Sequence, residues 1–286
     1  MRGVQRVRPA PVFLAAILAA VGSFLVWRGL SFYQLGLEER VDHPDFQVLR
    51  PSGLYGNGLG YLAGVLVVTN LLYLARRRQI FTFGSMRGWL DAHVFTGLLA
   101  FELAVFHSAF QLRTPIAKLT AASMAIVVLT GIVGRFIHAL VGVVAERHLQ
   151  PVAETLEARA RGLGDLVLAA ADAYPPTQLP ANASHLVCLA TLPRWRREAR
   201  SRREAVRLVA LNHPAIAGAT GADADELQAL VARAAQAAAA EVRAISRNAL
   251  LRSWRSLHRL FAILMLLAVA VHAAVAWHFG YRWIFG

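Results

Sequence analysis

Five stretches of this chain are long and apolar enough to cross a lipid bilayer. A helix needs roughly 20 mostly apolar residues to span about 30 Å of hydrocarbon, and few other structures satisfy the backbone inside lipid. The sequence therefore predicts an all-α integral membrane protein with five transmembrane helices in one bundle. The predicted spans are Pro11–Trp27, Gly58–Ala75, about Leu90–Phe110, about Ile116–Leu140 and Leu260–Trp277.

The composition of the 286-residue chain excludes a simple soluble enzyme and a disordered chain. Hydrophobic residues make up 57% and charged residues 16%, against about 45–50% and about 25% in soluble domains. The net charge of +13 does not predict a nucleic-acid partner, because basic residues of multi-pass membrane proteins collect in cytoplasmic loops. The single cysteine, Cys188, excludes a cysteine-ligated iron–sulfur cluster or zinc knuckle within this chain.

The positions of the arginines predict the orientation in the membrane. Arginines cluster in the N-terminal tail, in the connection after the second span and in the run Arg194–Arg203, whereas the first connection is acidic. These features predict a multi-pass protein of the bacterial inner membrane, with a cytoplasmic N-terminus and a periplasmic C-terminus. The first span is interpreted as an uncleaved anchor rather than a signal peptide.

The chain is predicted to have three segments. Residues 1–141 hold the first four spans, 142–255 form a helical cytoplasmic insertion, and 256–286 hold the last span, which completes the bundle. Periodicity and helix breakers divide the insertion further. Its predicted helices are Val143–Ala173, an arginine-rich helix at about Trp195–Leu211, and Asp223–Arg255, which continues into the last span.

Four of the ten histidines form one pattern. His93 and His107 lie 14 positions apart on the third span, and His258 and His272 lie 14 positions apart on the last. Fourteen residues at about 100° each fall about 40° short of four turns, so each pair shares one helix face at an axial separation of about 21 Å. Both spans point the same way, so His93 is predicted to lie level with His258, and His107 with His272.

Two such levels predict two cofactor sites, each with one imidazole from either side. Haem iron accepts axial imidazole ligands, so the predicted cofactors are two haems b, ligated by His93 and His258 toward the inside and by His107 and His272 toward the outside. The chain has no CxxCH sequence, which excludes covalent c-type attachment. The alternative for any one of these histidines is a hydrogen-bonded helix-contact residue.

The two histidine-bearing spans resemble a known superfamily. RGWLDAHVFTGLLAFELAVFHSAF and WRSLHRLFAILMLLAVAVHAAVAW are similar to the haem-bearing helices of ferric reductase-like transmembrane domains, and to the di-haem cytochrome b subunits of bacterial oxidoreductases such as formate dehydrogenases. The resemblance covers the third to fifth spans and implies electron transfer across the membrane. No flavin or nicotinamide domain follows the last span. The resemblance therefore implies that donor and acceptor lie on other subunits or are quinones.

Arginines near the two histidine levels are candidates for pairing with haem propionates. Arg87, Arg255 and Arg259 are predicted at the inner level, and Arg113 at the outer level. The alternative is ordinary loop charge. Three further features stay open between a functional and a packing role: Glu102 in mid-membrane, the glycines Gly97, Gly131 and Gly134, and the run Arg194–Arg203, which could bind anionic lipid or be a solvated helix face.

The sequence thus favours an electron-transfer subunit of a membrane redox complex rather than a stand-alone enzyme. The expected partners are membrane lipid, a cytoplasmic flavoprotein or iron–sulfur subunit, and an outer-face cytochrome. One alternative is a quinone-reactive anchor subunit that also binds a quinone. The other is a haem-free transporter that passes a metal ion along the histidines, although transport sites tend to lie at the midplane beside broken helices.

Overall fold

A computed structural model describes residues 9–142 and 149–279 of the chain, with the main chain alone for 137–142. Every regular element in these ranges is a helix, and five helices are long and apolar enough to span a membrane. The prediction of an all-α membrane protein with five spans is therefore confirmed. The α-helices are α1 Pro9–Tyr33, α2 Phe46–Leu49, α3 Leu54–Thr69, α4 Leu71–Arg77, α5 Met86–His107, α6 Pro115–Gly142, α7 Leu149–Arg159, α8 Leu163–Asp172, α9 His185–Leu211, α10 Pro214–Ala217 and α11 Gly221–His278, with a 3-10 helix at Glu39–Asp42.

The spanning helices leave large apolar side chains on their surface. Trp27 is 76% exposed, Phe13 66% and Leu129 62%. Helices that are apolar all round are stable in lipid, where such side chains need no protein partner. Contact with membrane lipid follows from this surface.

The chain divides into two compact units, Met1–Ile132 with His258–Gly286, and Val133–Leu257. We call them the histidine unit and the insertion unit. In the histidine unit, Leu25 of α1, Ala63 of α3 and Leu103 of α5 are buried in one core cluster. A second cluster joins Val67, Ala100 and Met124. Helices α1, α3, α5 and α6 therefore contribute to a shared core that positions α5.

A buried arginine holds the loop after α1 against the end of α5. The Arg40 guanidinium donates to the carbonyls of Tyr33 at 2.7 Å, Ala109 at 2.8 Å and Leu35 at 2.9 Å. Ala109 and Phe110 have φ of 47° and 62°, so the chain leaves the helical conformation directly after His107. This is why α5 ends three residues before the predicted end at Phe110.

Arg40→Met is expected to destabilise the histidine unit by about 3 kcal/mol, because it leaves three carbonyls without their charged donor. The thermal unfolding midpoint of the detergent-purified protein measures this effect. Arg77→Met is the matched control, since Arg77 is exposed and pairs with no carboxylate among the described residues. Equal midpoints for the two variants would contradict a structural role for Arg40.

The insertion unit departs from the predicted helices in two places. The predicted helix Val143–Ala173 is wrong as one helix: α7 ends at Arg159, and Gly162 has φ of +83°, a left-handed conformation that interrupts the helix. Residues 143–148 of that prediction lie outside the described residues. The arginine-rich helix begins ten residues earlier than predicted, at His185, where the Ser184 hydroxyl caps it by accepting the Val187 N–H.

The prediction that the third helix of the insertion continues into the last span is confirmed. Residues 221–278 form one unbroken helix, α11, that runs from the insertion into the last span. Six alanines between positions 234 and 240 are buried on it and let neighbouring helices approach closely. Trp195 of α9 is 2% exposed and donates its indole N–H to Thr177.

Thr177 also connects its loop to α9 through Glu198. The Thr177 main-chain N–H and hydroxyl both donate to the Glu198 carboxylate, and Arg194 donates to it at 3.0 Å. Burial raises the pKa of Glu198, but these hydrogen bonds outweigh that effect and lower the pKa below its ordinary value. The Glu198 carboxylate is therefore charged, and it accepts hydrogen bonds from Thr177 and Arg194 of the insertion unit.

Candidate haem site

The first histidine level consists of His93 of α5 and His258 of α11. The two imidazoles lie close enough for their charges to interact. The Nδ1 atom of His258 lies 2.9 Å from the Thr130 hydroxyl. That hydroxyl can accept the Nδ1–H of His258 while it donates its own proton to the Ile126 carbonyl. In this tautomer the Nε2 atom of His258 carries a lone pair.

Two residues near the junction of α3 and α4 hold the His93 ring. Asn70 lies between the two helices, and Tyr73 lies on α4. Tyr73 stacks on the ring with centroids 4.8 Å apart. The Asn70 amide best satisfies its neighbours when its nitrogen donates to His93 Nδ1 at 3.1 Å. Rotating the amide by half a turn places its oxygen there instead, where it accepts an Nδ1–H. Asn70 can therefore match either tautomer of His93 without moving the ring.

The second level consists of His107 of α5 and His272 of α11. Their ring centroids lie 6.2 Å apart and their planes cross at 88°. His107 Nδ1 donates to the Gly56 carbonyl at 2.8 Å, which leaves a lone pair on Nε2. His272 Nδ1 is buried and has no hydrogen-bond partner among the described residues.

The packing between the two levels matches the parallel arrangement of α5 and α11. Ala100 is midway between His93 and His107 in the sequence, and Met265 is midway between His258 and His272. Met265 packs against the core cluster that contains Ala100. The midpoint contact alone fits either direction, and the direction follows from the histidines themselves: His107 contacts His272 and His258 acts electrostatically on His93, so α5 and α11 run parallel.

The second level has the dimensions of two imidazoles on opposite sides of one metal ion. Two metal–nitrogen bonds of about 2 Å and two ring radii of about 1.1 Å place trans imidazole centroids about 6.3 Å apart. The observed separation is 6.2 Å. The lone pair on His107 Nε2 has the correct chemistry for a ligand. The donor chemistry and the separation of the two rings at this level are compatible with histidine ligands to a haem iron.

No group of three or more histidine, cysteine or acidic side chains in the described ranges could hold a metal ion by itself.

The four candidate arginines lie at helix ends, in a loop or in the insertion unit. Arg87 and Arg259 are exposed at the ends of α5 and of the histidine-bearing part of α11, and Arg255 is half-buried in the insertion unit. Arg113 is exposed in the loop after α5, where its charge acts on Arg40. A role for these four in binding propionates stays a prediction.

The Glu102 side chain lies against α1. Its carboxylate packs where a Cβ of Gly22 in α1 would stand, and its Oε2 atom is buried without a hydrogen-bond partner in the described structure. Glu102 thus belongs to the α1–α5 contact and not to either histidine level.

The three candidate glycines have different neighbours. A Cβ at Gly131 would lie 3.6 Å from His258 Cε1, and one at Gly97 would lie 3.1 Å from the Asn70 amide. Gly134 packs against the Trp254 indole in the insertion unit. Only Gly131 directly borders a histidine.

Five residues around the histidines were not predicted from the sequence. They contact an imidazole from α3, α4 or α6: Gly56, Gly60, Asn70, Tyr73 and Thr130. The available signal was the spacing of Gly56 and Gly60, four residues apart, which indicates a helix face that another group approaches closely.

In a comparison with known proteins, no family model, curated protein or solved structure matches this chain.

Proposed function

We propose that this chain is a membrane di-haem cytochrome b, the electron-transfer subunit of a larger redox complex. The observation that supports it is the pairing of imidazoles from α5 and α11 at two levels, with the second pair at the separation of two axial ligands. When bound, each haem would supply an iron centre that exchanges one electron at a time.

The chain's own residues fix the ligands. The Gly56 carbonyl and the Thr130 hydroxyl each accept an Nδ1–H, which orients the ring and raises the basicity of its Nε2 atom. Tyr73 limits the rotation of His93 by stacking on it. Apolar side chains of the cluster at Ala100 exclude water between the two levels.

The two levels are about 21 Å apart along the helices, which suits stepwise transfer from one face of the membrane to the other. By the arginine distribution, the His93/His258 level faces the cytoplasm of a bacterial cell and the His107/His272 level faces the periplasm. The proposed donor is a quinone or a cytoplasmic flavoprotein or iron–sulfur subunit, and the proposed acceptor is an outer-face cytochrome, or the reverse.

The decisive test is an optical spectrum of the detergent-purified protein with pyridine haemochrome quantitation. Two haems b per chain are expected. A single haem would show that one histidine pair is misassigned. A colourless protein that is reconstituted by neither haem addition nor haem-replete expression would overturn the proposal and favour a metal transporter.

A further inference from the structure

A small pocket lies in the insertion unit between α9 and α11. Its volume is about 260 Å³, and it is lined by Arg196, Ala199, Arg200, Arg203, Ala239 and Arg243. Four of these six residues carry a positive charge, and the other two are alanines. The pocket is separate from both histidine levels, which belong to the histidine unit.

The four charges are arranged so that they repel one another. Arg196, Arg200 and Arg203 stand at positions i, i+4 and i+7 of α9, a spacing that places them on one helix face. Across the pocket, Arg243 of α11 experiences the charges of Arg203 and Arg247. Like charges at these spacings destabilise helices, so the cluster has an electrostatic cost in the absence of an anion.

Two other arginines of the same helix have acidic partners. Arg194 pairs with Glu198 at 3.0 Å, and Arg202 pairs with Glu241 at 2.8 Å. In contrast, no carboxylate of the described residues forms an ion pair with the four arginines of the pocket. The adjacent Arg247 also has a buried Nε atom without a hydrogen-bond partner in the described ranges. Four arginines without an ion-pair partner among the described residues are therefore concentrated at this place.

The alanines make the site concave. Ala199 and Ala239 are 5% and 1% exposed, so they form a floor where α9 and α11 meet. Side chains larger than alanine at these positions would fill the space between the guanidinium groups. The guanidinium groups form the rim, and each presents a planar fork that binds phosphate oxygens in pairs.

We propose that this pocket binds a phosphate-bearing anion. Its volume of about 260 Å³ lies just below the range of about 300–1,000 Å³ for ligand sites, which suits a diphosphate group rather than a large organic molecule. The phosphate comes either from a soluble compound or from a lipid headgroup. The proposal does not depend on haem binding.

The test is calorimetric titration of the full-length protein with pyrophosphate at constant ionic strength, in dodecyl maltoside micelles, which contain no phosphate. Saturable binding at one site is expected. Arg200→Gln combined with Arg243→Gln is expected to weaken it at least about tenfold, since each removes charge-assisted hydrogen bonds.

The matched control is Arg197→Gln combined with Arg207→Gln. Both are exposed arginines of α9 outside the pocket, so this variant loses the same charge and is expected to bind within about twofold of the wild type. Circular dichroism checks that both double variants keep their helices. No saturable binding by the wild type, or equal losses in both variants, would overturn the proposal.

Nanodiscs that contain phosphatidylglycerol distinguish the two sources of phosphate. If pyrophosphate binds equally in micelles and nanodiscs, the natural ligand is soluble. If binding occurs in micelles and is lost in nanodiscs, lipid headgroups occupy the pocket. Both results support a phosphate site.

Discussion

His107→Ala is expected to halve the haem content, from two haems b per chain to one. The substitution removes one of two neighbouring imidazoles whose centroids lie 6.2 Å apart, and the proposed six-coordinate site would have no other protein ligand to replace it. The His93/His258 level lies about 21 Å away along α5 and keeps its haem. Pyridine haemochrome quantitation against protein concentration gives the ratio directly.

The matched control is His278→Ala. His278 lies on the same helix as His272 but is exposed, so its substitution is expected to leave two haems. His93→Ala is the reciprocal variant and should remove the other haem. If His107→Ala keeps both haems at full occupancy, the pairing of histidines by level is wrong.

Imidazole added to His107→Ala separates a lost ligand from a damaged fold. The substitution leaves a cavity of the size of the removed ring, and a small ligand can occupy such a space. Partial recovery of the second haem with imidazole is expected. Recovery in its absence would show that another side chain has replaced His107.

The positions of the spans and the histidine pairs could be predicted because they depend on local periodicity. A run of about 20 apolar residues requires a helix in lipid, and 14 residues bring a side chain back to nearly the same face. The continuous helix α11 was predictable for the same reason, since 221–278 contains no proline. These inferences need no knowledge of which helices touch.

The partners of the histidines could not be predicted, because they depend on contacts between helices distant in sequence. Gly56 is 51 residues from His107, and Thr130 is 128 residues from His258. The break at Gly162 was missed for a different reason. Residues 149–173 keep an amphipathic pattern on both sides of it, and a glycine inside a helical pattern does not by itself end a helix.

Gly60→Ala is expected to weaken haem binding at the His107/His272 level about 5- to 150-fold. A Cβ at this position would lie 2.6 Å from Nδ1 and 2.8 Å from Cε1 of the His107 ring. The ring cannot stay in place, because its Nδ1–H is also bound to the Gly56 carbonyl one turn away on α3. Overpacking of this kind costs about 1–3 kcal/mol, which corresponds to the stated loss of affinity.

The measurement is the rate at which apomyoglobin extracts haem from the purified protein, followed by absorbance. Gly64→Ala is the matched control, since Gly64 lies one turn further along α3 and a Cβ there meets nothing within 4 Å. One of the two haems is expected to leave faster in Gly60→Ala, and neither in Gly64→Ala. Equal extraction rates in both variants would mean that the His107 ring does not hold a haem, because no ligand in contact with Gly60 could tolerate the added methyl group without moving.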